Sequence, residues 1–361
     1  MKNELFSAPM FFLGANSPEG FISRFGESYK QKEGWHTYII KGGPGTGKST
    51  LMKRVAAYFI KSGTRCHLCP CSSDPNSLDG VIFPDLKVTL LDGTAPHVVE
   101  PSYPGVAEEL LNLGEFWDNH KLIEKREEII RLTDINRDHH RRASDYLRAA
   151  GCLIEDTGKL ALKYCDRKKT EKFALSLAKK SIPKVQCKGA EWVRYLSAMT
   201  PRGHIFYKST FGKLCDRVTV IADEQGAASG VIMETLRKYA LSSGHEIITC
   251  LCPMSRDKIE HIIIPALRLG FATSNRYHTV ESEERIIHAR RFMNMTALHE
   301  EKSHLSFNRR ATADMLLSAA EVLAEAKATH DKLEALYISA MDYEKLNALT
   351  EKLVRKIQEV K

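Results

Sequence analysis

The chain has no apolar run approaching the roughly 18–20 residues a membrane-spanning helix needs, so no helical span is expected. Its first ten residues carry Lys2 and Glu4 and hold no signal-peptide core. The cysteines number nine, an odd count in a long chain without a leader. Both points lead us to expect a cytoplasmic protein with reduced thiols and no membrane association. Disorder and fibrous classes are excluded as well, because 43% hydrophobic and 27% charged residues is globular composition. The 361 residues suffice for two domains of ordinary size.

What is present begins with a repeat. Ile39–Gly63 aligns without a gap on Val220–Gly244, at an offset of 181 residues. Identical pairs include Ile40/Ile221, Gly45/Gly226, Met52/Met233, Tyr58/Tyr239 and Gly63/Gly244. The same offset pairs Pro84 with Pro265 and His97 with His278. Upstream, Leu13–Gly20 matches Leu196–Gly203 at an offset of 183. We read an ancestral duplication, with one domain over residues 1–187 and the other over 188–361.

Each half then follows one plan. A Ser/Thr-Pro-x-Gly turn precedes a short apolar strand, Thr37–Ile40 or Val218–Ile221. A loop leads into an amphipathic helix that stops at Ser-Gly. Further strands are expected at Arg65–Cys69 and Lys87–Leu91, and at Glu246–Leu251 and Arg268–Phe271. Long helical segments close the halves, over about residues 105–180 and 281–360. Both have apolar residues at three and four spacing and no proline inside those limits. No strict heptad persists, so helical hairpins are expected rather than a coiled-coil rod.

One motif carries chemistry. Gly42-Gly43-Pro44-Gly45-Thr46-Gly47-Lys48-Ser49 fits G-x-x-x-x-G-K-[ST], the Walker A phosphate-binding pattern, with a strand running in and a helix running out. Glycine lets the backbone turn successive amides, from about Gly45 to Thr50, inward around an anion. The helix N-terminus adds positive dipole and orphan N–H donors. Lys48 is expected on the β- and γ-phosphates, and the Ser49 hydroxyl on Mg²⁺. A second acid is expected at the end of a core strand, and Lys87–Asp92 delivers Asp92 in that form, as a magnesium-holding carboxylate. Asp79 and Asp74, in the preceding loop, compete for that role.

The second copy has lost this set. At the offset of 181, Lys48 becomes Ser229, Ser49 becomes Gly230, Gly47 becomes Ala228 and Asp92 becomes Thr273. Its loop, Asp223–Gly230, adds two carboxylates, so we expect it to keep the fold without binding nucleotide. Positions kept in both halves, such as His97/His278, read as structural. Cys66, Cys69 and Cys71 with His67 read as thiols on a buried strand rather than a zinc cluster. Arg202, in the second Pro-x-Gly turn, is a candidate arginine finger. The formal charge is +8, and residues 121–190 hold 18 Lys/Arg against 10 Asp/Glu. That segment, with Arg141, Arg142, Arg167, Lys168 and Lys169, reads as a solvated helical face. Nucleic-acid contact is the rival reading, and no aromatic interleaving accompanies it.

Gly42–Ser49 resembles the P-loop NTPase superfamily. With Ala15–Gly20, Leu78–Ile82, Asp92–His97 and Ser197–Gly203, the chain looks like an uncharacterised bacterial family of tandem P-loop ATP-binding proteins. The resemblance implies ATP as ligand and a duplicated domain; it supplies no substrate. The expected fold is therefore α/β, two tandem P-loop-like parallel-sheet domains, each with an attached helical hairpin. The expected function is a Mg-ATP-binding ATPase, with the second half a degenerate regulatory or site-completing copy. The alternatives are a small-molecule or nucleotide kinase, and an ATP-gated binding module with little turnover. Gly93 follows Asp92 where many ATPases place a catalytic glutamate, which leaves the base open between Glu100 and Asp79.

Overall fold

A computed structural model describes residues 5, 7–281 and 285–359, so Lys2 and Glu4 lie outside the described residues. The first half contains β1 (Gly14–Ser17), β2 (Gly20–Ser23), β3 (His36–Lys41), α1 (Lys48–Lys61), β4 (His67–Pro70), β5 (Leu78–Phe83), β6 (Val88–Asp92) and β7 (Glu108–Asn112). Helices α2 (Asn119–Glu124), α3 (Arg126–Lys163) and α4 (Arg167–Ser181) follow. The second half repeats the order. After β8 (Ala190–Arg194) come β9 (Ser197–Thr200), β10 (Gly203–Phe206), α5 (Ser209–Leu214), β11 (Arg217–Ala222) and α6 (Ala227–Ser242). Then follow β12 (Glu246–Leu251), β13 (Ile259–Ile264), β14 (Leu269–Ser274), β15 (Arg285–His288), α7 (Met295–Glu300), α8 (Lys302–Ile338) and α9 (Tyr343–Glu359). Among the described residues no helix is long and apolar enough to cross a membrane.

The chain is a mixed α/β protein. One sheet has strand order β4-β5-β6-β3-β7, and its counterpart has β15-β11-β14-β13-β12-β8. The loop-bearing strands β3 and β11 each lie between two parallel neighbours. The sheets are not the parallel sheets the sequence suggested, because β5 and β13 run antiparallel to their neighbours. The reason is the short Pro84–Lys87 and Pro265–Arg268 connections, far below the length of a parallel crossover. Lys87 and Arg268 take positive φ, 52° and 45°, to close those turns.

A second correction concerns the stretches read as helical. Residues 108–112 and 285–288 are strands within them. Glu-Glu-Leu-Leu-Asn has helix-forming composition, but pairing with β3 and burial of Leu111 override that weak preference.

Alternation along the strands explains the layers. Tyr38, Ile40, Val81, Phe83 and Leu90 face α1, which buries Leu51, Met52, Val55 and Phe59 against them. Ile39, Ile82 and Leu91 face the other way and meet Val220, Ile248, Ile263 and Ala272 of the second sheet. The two sheets therefore pack face to face, with helices outside. The β1–β2 and β9–β10 hairpins join into a four-stranded sheet of their own. There Asn16 pairs with Met199, and its Nδ2 donates to the Met199 carbonyl at 3.0 Å.

The helices do not stay with the half that encodes them. Leu346, Leu353 and Ile357 of α9 pack on α1 and the first sheet. Ala174, Leu177 and Ala178 of α4 pack on α6 and the second sheet. The hairpins expected on their own halves are thus exchanged. The 38-residue α3 and 37-residue α8 lie against each other through Ala143, Leu147, Ala319 and Leu323.

Candidate functional site

The loop between β3 and α1 sits where the two parallel ladders end. Gly45 and Gly47 adopt φ of 69° and 85°, a region that glycine enters without strain. Thr46 Oγ1 donates to the Gly43 carbonyl at 2.8 Å and closes the turn. Lys48 folds back over it: Nζ donates to the carbonyls of Gly42 and Gly43, both at 2.8 Å, and lies 3.6 Å from Asp92 Oδ2. The N-cap of α1 is Gly47, which offers no side chain. Among the described residues no side-chain oxygen accepts from the amides of residues 45–49, in contrast to the corresponding loop of the second half.

Asp92 ends β6 beside Ile40 and is 9% exposed. Its Oδ1 accepts from the Thr94 amide at 2.9 Å, and Thr94 Oγ1 donates to the Gly42 carbonyl at 3.1 Å. Asp79 is not in a loop. It lies on β5, one residue beyond the Gly80–Leu91 pair, and so stands opposite Asp92. Burial pushes its carboxyl up to about 6; nearby His97 opposes the rise and Asp92 adds to it. His97 stacks on Phe25 at 4.4 Å between ring centres and reaches within 3.9 Å of Asp92 Oδ1. Both its ring nitrogens are buried without a hydrogen-bond partner. Asp79, Asp92 and His97 each offer one ligand atom within 4.8 Å of the others.

The Ser49 hydroxyl oxygen accepts from the Leu78 amide at 2.9 Å, which leaves a lone pair for a cation. Thr50 is exposed at the first turn of α1. Glu100 is spent elsewhere, on Lys41 Nζ at 2.5 Å, and is exposed. Asp74 pairs with Lys327 at 3.7 Å. Arg202 lies exposed in the turn between β9 and β10. Cys66, just before β4, and Cys69, on it, fall in different core clusters, and burial pushes both thiols up, Cys69 to about 12. Among the described residues, no common ion position brings Cys66, Cys69, Cys71 and His67 together. The basic helices pair their charges locally, as in Arg141 with Asp138 and Arg167 with Glu171.

The far end of the chain covers the loop. Tyr343 Oη donates to the Gly45 carbonyl at 3.0 Å. A methyl group on Gly47 would meet Leu346 Cδ2 at 2.4 Å, and one on Gly45 would meet the Glu334 carbonyl at 2.7 Å. Trp117 and Tyr337 flank Gly43, with ring centres 5.6 Å apart. The contacts made by Glu334, Tyr337, Tyr343 and Leu346 had no signal in the sequence, because they join residues about 300 positions apart. Asp79 and His97 did have one: the offset of 181 pairs them with Glu260 and His278, also an acid and a histidine.

The second loop is filled from within. Asp223 stands where the first loop has Gly42. Its Oδ1 accepts from the amides of Gln225 and Gly226 at 3.2 and 3.0 Å, and its Oδ2 from that of Ser229 at 2.8 Å. A carboxylate of the chain itself therefore satisfies the amides at the start of α6. No protein-family model, curated protein or solved structure matches this chain.

Proposed function

We propose that the N-terminal half is a P-loop nucleoside-triphosphatase site, binding ATP with Mg²⁺ and transferring the terminal phosphoryl group to water. The observation that carries this is the loop 42–49 itself. It brings a glycine-rich turn, amides with no side-chain acceptor among the described residues and the Lys48 ammonium together at the start of α1, with Asp92 3.6 Å from that ammonium and Asp79 on the adjacent strand. The two halves are then tandem copies of one P-loop-like domain, of which the second has its anion position taken by Asp223.

The residues fit the magnesium ion. Ser49 and Asp92 both offer hard oxygen atoms: the Ser49 hydroxyl keeps a lone pair, and Asp92 Oδ2 lies 3.6 Å from Lys48 Nζ. When bound, the ion supplies Lewis-acid neutralisation of the phosphate oxygens. The chain does the rest. The amides of residues 45–50 and the Lys48 ammonium hold the β- and γ-phosphates and meet the charge that grows on them as the terminal bond breaks. Lys48 gives up its bonds to Gly42 and Gly43 or shares them with the phosphates. Asp79 accepts the proton of the attacking water, since its raised carboxyl lies nearer neutrality than an exposed one. Glu100 is the weaker candidate, being exposed and paired with Lys41.

The covering by α8 and α9 makes the second half a completing element. Tyr343, Ile338 and Leu346 close the loop from above, and they exclude water when the site is loaded. The test is calorimetric. Lys48→Ala is expected to weaken Mg-ATP binding by about 100-fold or more, the loss of a charged hydrogen-bonding anchor. Unchanged affinity in that variant sinks the proposal. Phosphate release from ATP with no added acceptor separates the hydrolase from a kinase, which stays silent until its acceptor is supplied.

A further inference from the structure

The second half holds a cavity of about 330 Å³ between the end of its sheet and the long helices α3 and α8. That volume lies at the small end of the range for ligand sites. Its floor is polar and buried. Glu260 is 6% exposed and has the Ser197 hydroxyl, at 3.4 Å, and the Cys252 thiol as weak donors. Among the described residues no Lys or Arg pairs with it, and a carboxylate out of water without a strong donor is costly. His278 closes the floor, with Nε2 3.0 Å from Thr273 Oγ1, and burial keeps it and His204 below the usual histidine range. Met199, Met254, Leu305 and Tyr277 form apolar walls. Lys258, Arg276, Lys302 and Arg309 stand on the lining too. Of these, Arg276 is paired with Glu224 at 2.9 Å, while Lys258 lies against Gly226 with no carboxylate in ion-pair range among the described residues.

The arrangement has a counterpart. Glu260 and His278 stand at the positions of Asp79 and His97, at the offset of 181. The corner of carboxylate and imidazole persists in the half that has lost its phosphate loop, and there both residues line the cavity. A buried carboxylate asks for N–H donors. Flat thioether and tyrosine walls suit a planar ring, and unpaired cations suit an anion.

We propose that this cavity is a second small-molecule site, for a small organic anion with an N–H-bearing planar ring, of the nucleoside monophosphate class. The ring amine donates to Glu260, the ring lies between Met199, Met254 and Tyr277, and the phosphate meets Lys258 and Arg309. The site does not depend on the triphosphatase reading, since no residue of the loop 42–49 lines it.

The test uses full-length protein carrying Lys48→Ala, so that the N-terminal loop does not contribute, titrated with AMP by calorimetry. Adenosine and ribose 5-phosphate are the partial probes. AMP is expected to bind, and both fragments are expected to bind at least ~10-fold more weakly, as each loses one charged or hydrogen-bonded end. Glu260→Gln, which keeps the shape, is expected to weaken AMP by ~10-fold or more. Arg309→Ala, at an exposed position that leaves the core intact, is expected to weaken it several-fold and flatten its salt dependence. Absence of AMP binding overturns the proposal. So does ribose 5-phosphate binding as tightly as AMP, which would mark a bare anion site, or an affinity unmoved by both substitutions.

Discussion

Asp79 is buried beside another carboxylate and a histidine, and its carboxyl rises to about 6 mainly because burial penalises the charge. A group that holds its proton more tightly in the folded chain stabilises the fold fully at low pH. That contribution is lost as pH climbs from about 4, where the unfolded carboxyl titrates, through about 6. Asp79→Asn removes the charge and the dependence together. Relative to the native chain, the variant is expected to gain about 3 kcal/mol of stability between pH 4 and pH 7.5, from a pKa difference of about two. Urea denaturation of both proteins at the two pH values checks this; a constant difference between them contradicts it. If the proposed triphosphatase reading holds, the same substitution is expected to slow ATP turnover by about 10²-fold or more while ATP affinity changes little, the mark of a lost proton acceptor. The native rate is expected to fall as pH drops below 6. Residues such as Lys48 and Ser49 were legible in the sequence because their motif is local and tied to backbone geometry. Asp79 was visible only as one acid among several, since its opposition to Asp92 depends on the register of β5 against β6. His97 was discounted because it recurs as His278, yet recurrence fits a shared chemical corner as well as a structural role.

At the scale of elements, an amphipathic stripe announces that a helix has a partner and does not say which. The stripes of α4 and α9 were readable; their crossing to the opposite cores was not. Nor was β7, whose residues favour helix until β3 supplies its missing ladder. The exchange makes a directional prediction. Leu353 is 2% exposed and sits among Leu51, Val55 and Phe59 in the N-terminal core, although it is encoded near the C-terminus. Leu353→Ala is expected to cost about 2–4 kcal/mol, the usual range for a buried leucine. Hydrogen exchange locates the damage: amides of α1 are expected to lose protection ahead of those of α6. Loss centred on α6 would mean that α9 does not stabilise the first core in solution.

Across the whole molecule, three features tie the halves together: exchanged helices, the shared four-stranded sheet, and the core between the two large sheets. Asn16 meeting Met199, and Phe12 meeting Tyr195, place residues related by the 183 offset against each other, as a pseudo-two-fold axis requires. Each half lacks a wall of its own core without the other, for the first sheet needs α9 and the second needs α4. Two linked but independent domains would unfold in separate steps, each with about half the enthalpy. Here the halves are expected to unfold together, with a van't Hoff enthalpy near the calorimetric one, about 250 kcal/mol near 60 °C for a chain of this length. On the function proposed above, Mg-ATP in the N-terminal loop is then expected to raise the single midpoint rather than split it, because stabilising one half holds the helix that the other half needs. Differential scanning calorimetry with and without nucleotide decides the matter. Two resolved transitions, with only one of them moved by ATP, would show that the exchanged helices leave their partners before the cores melt.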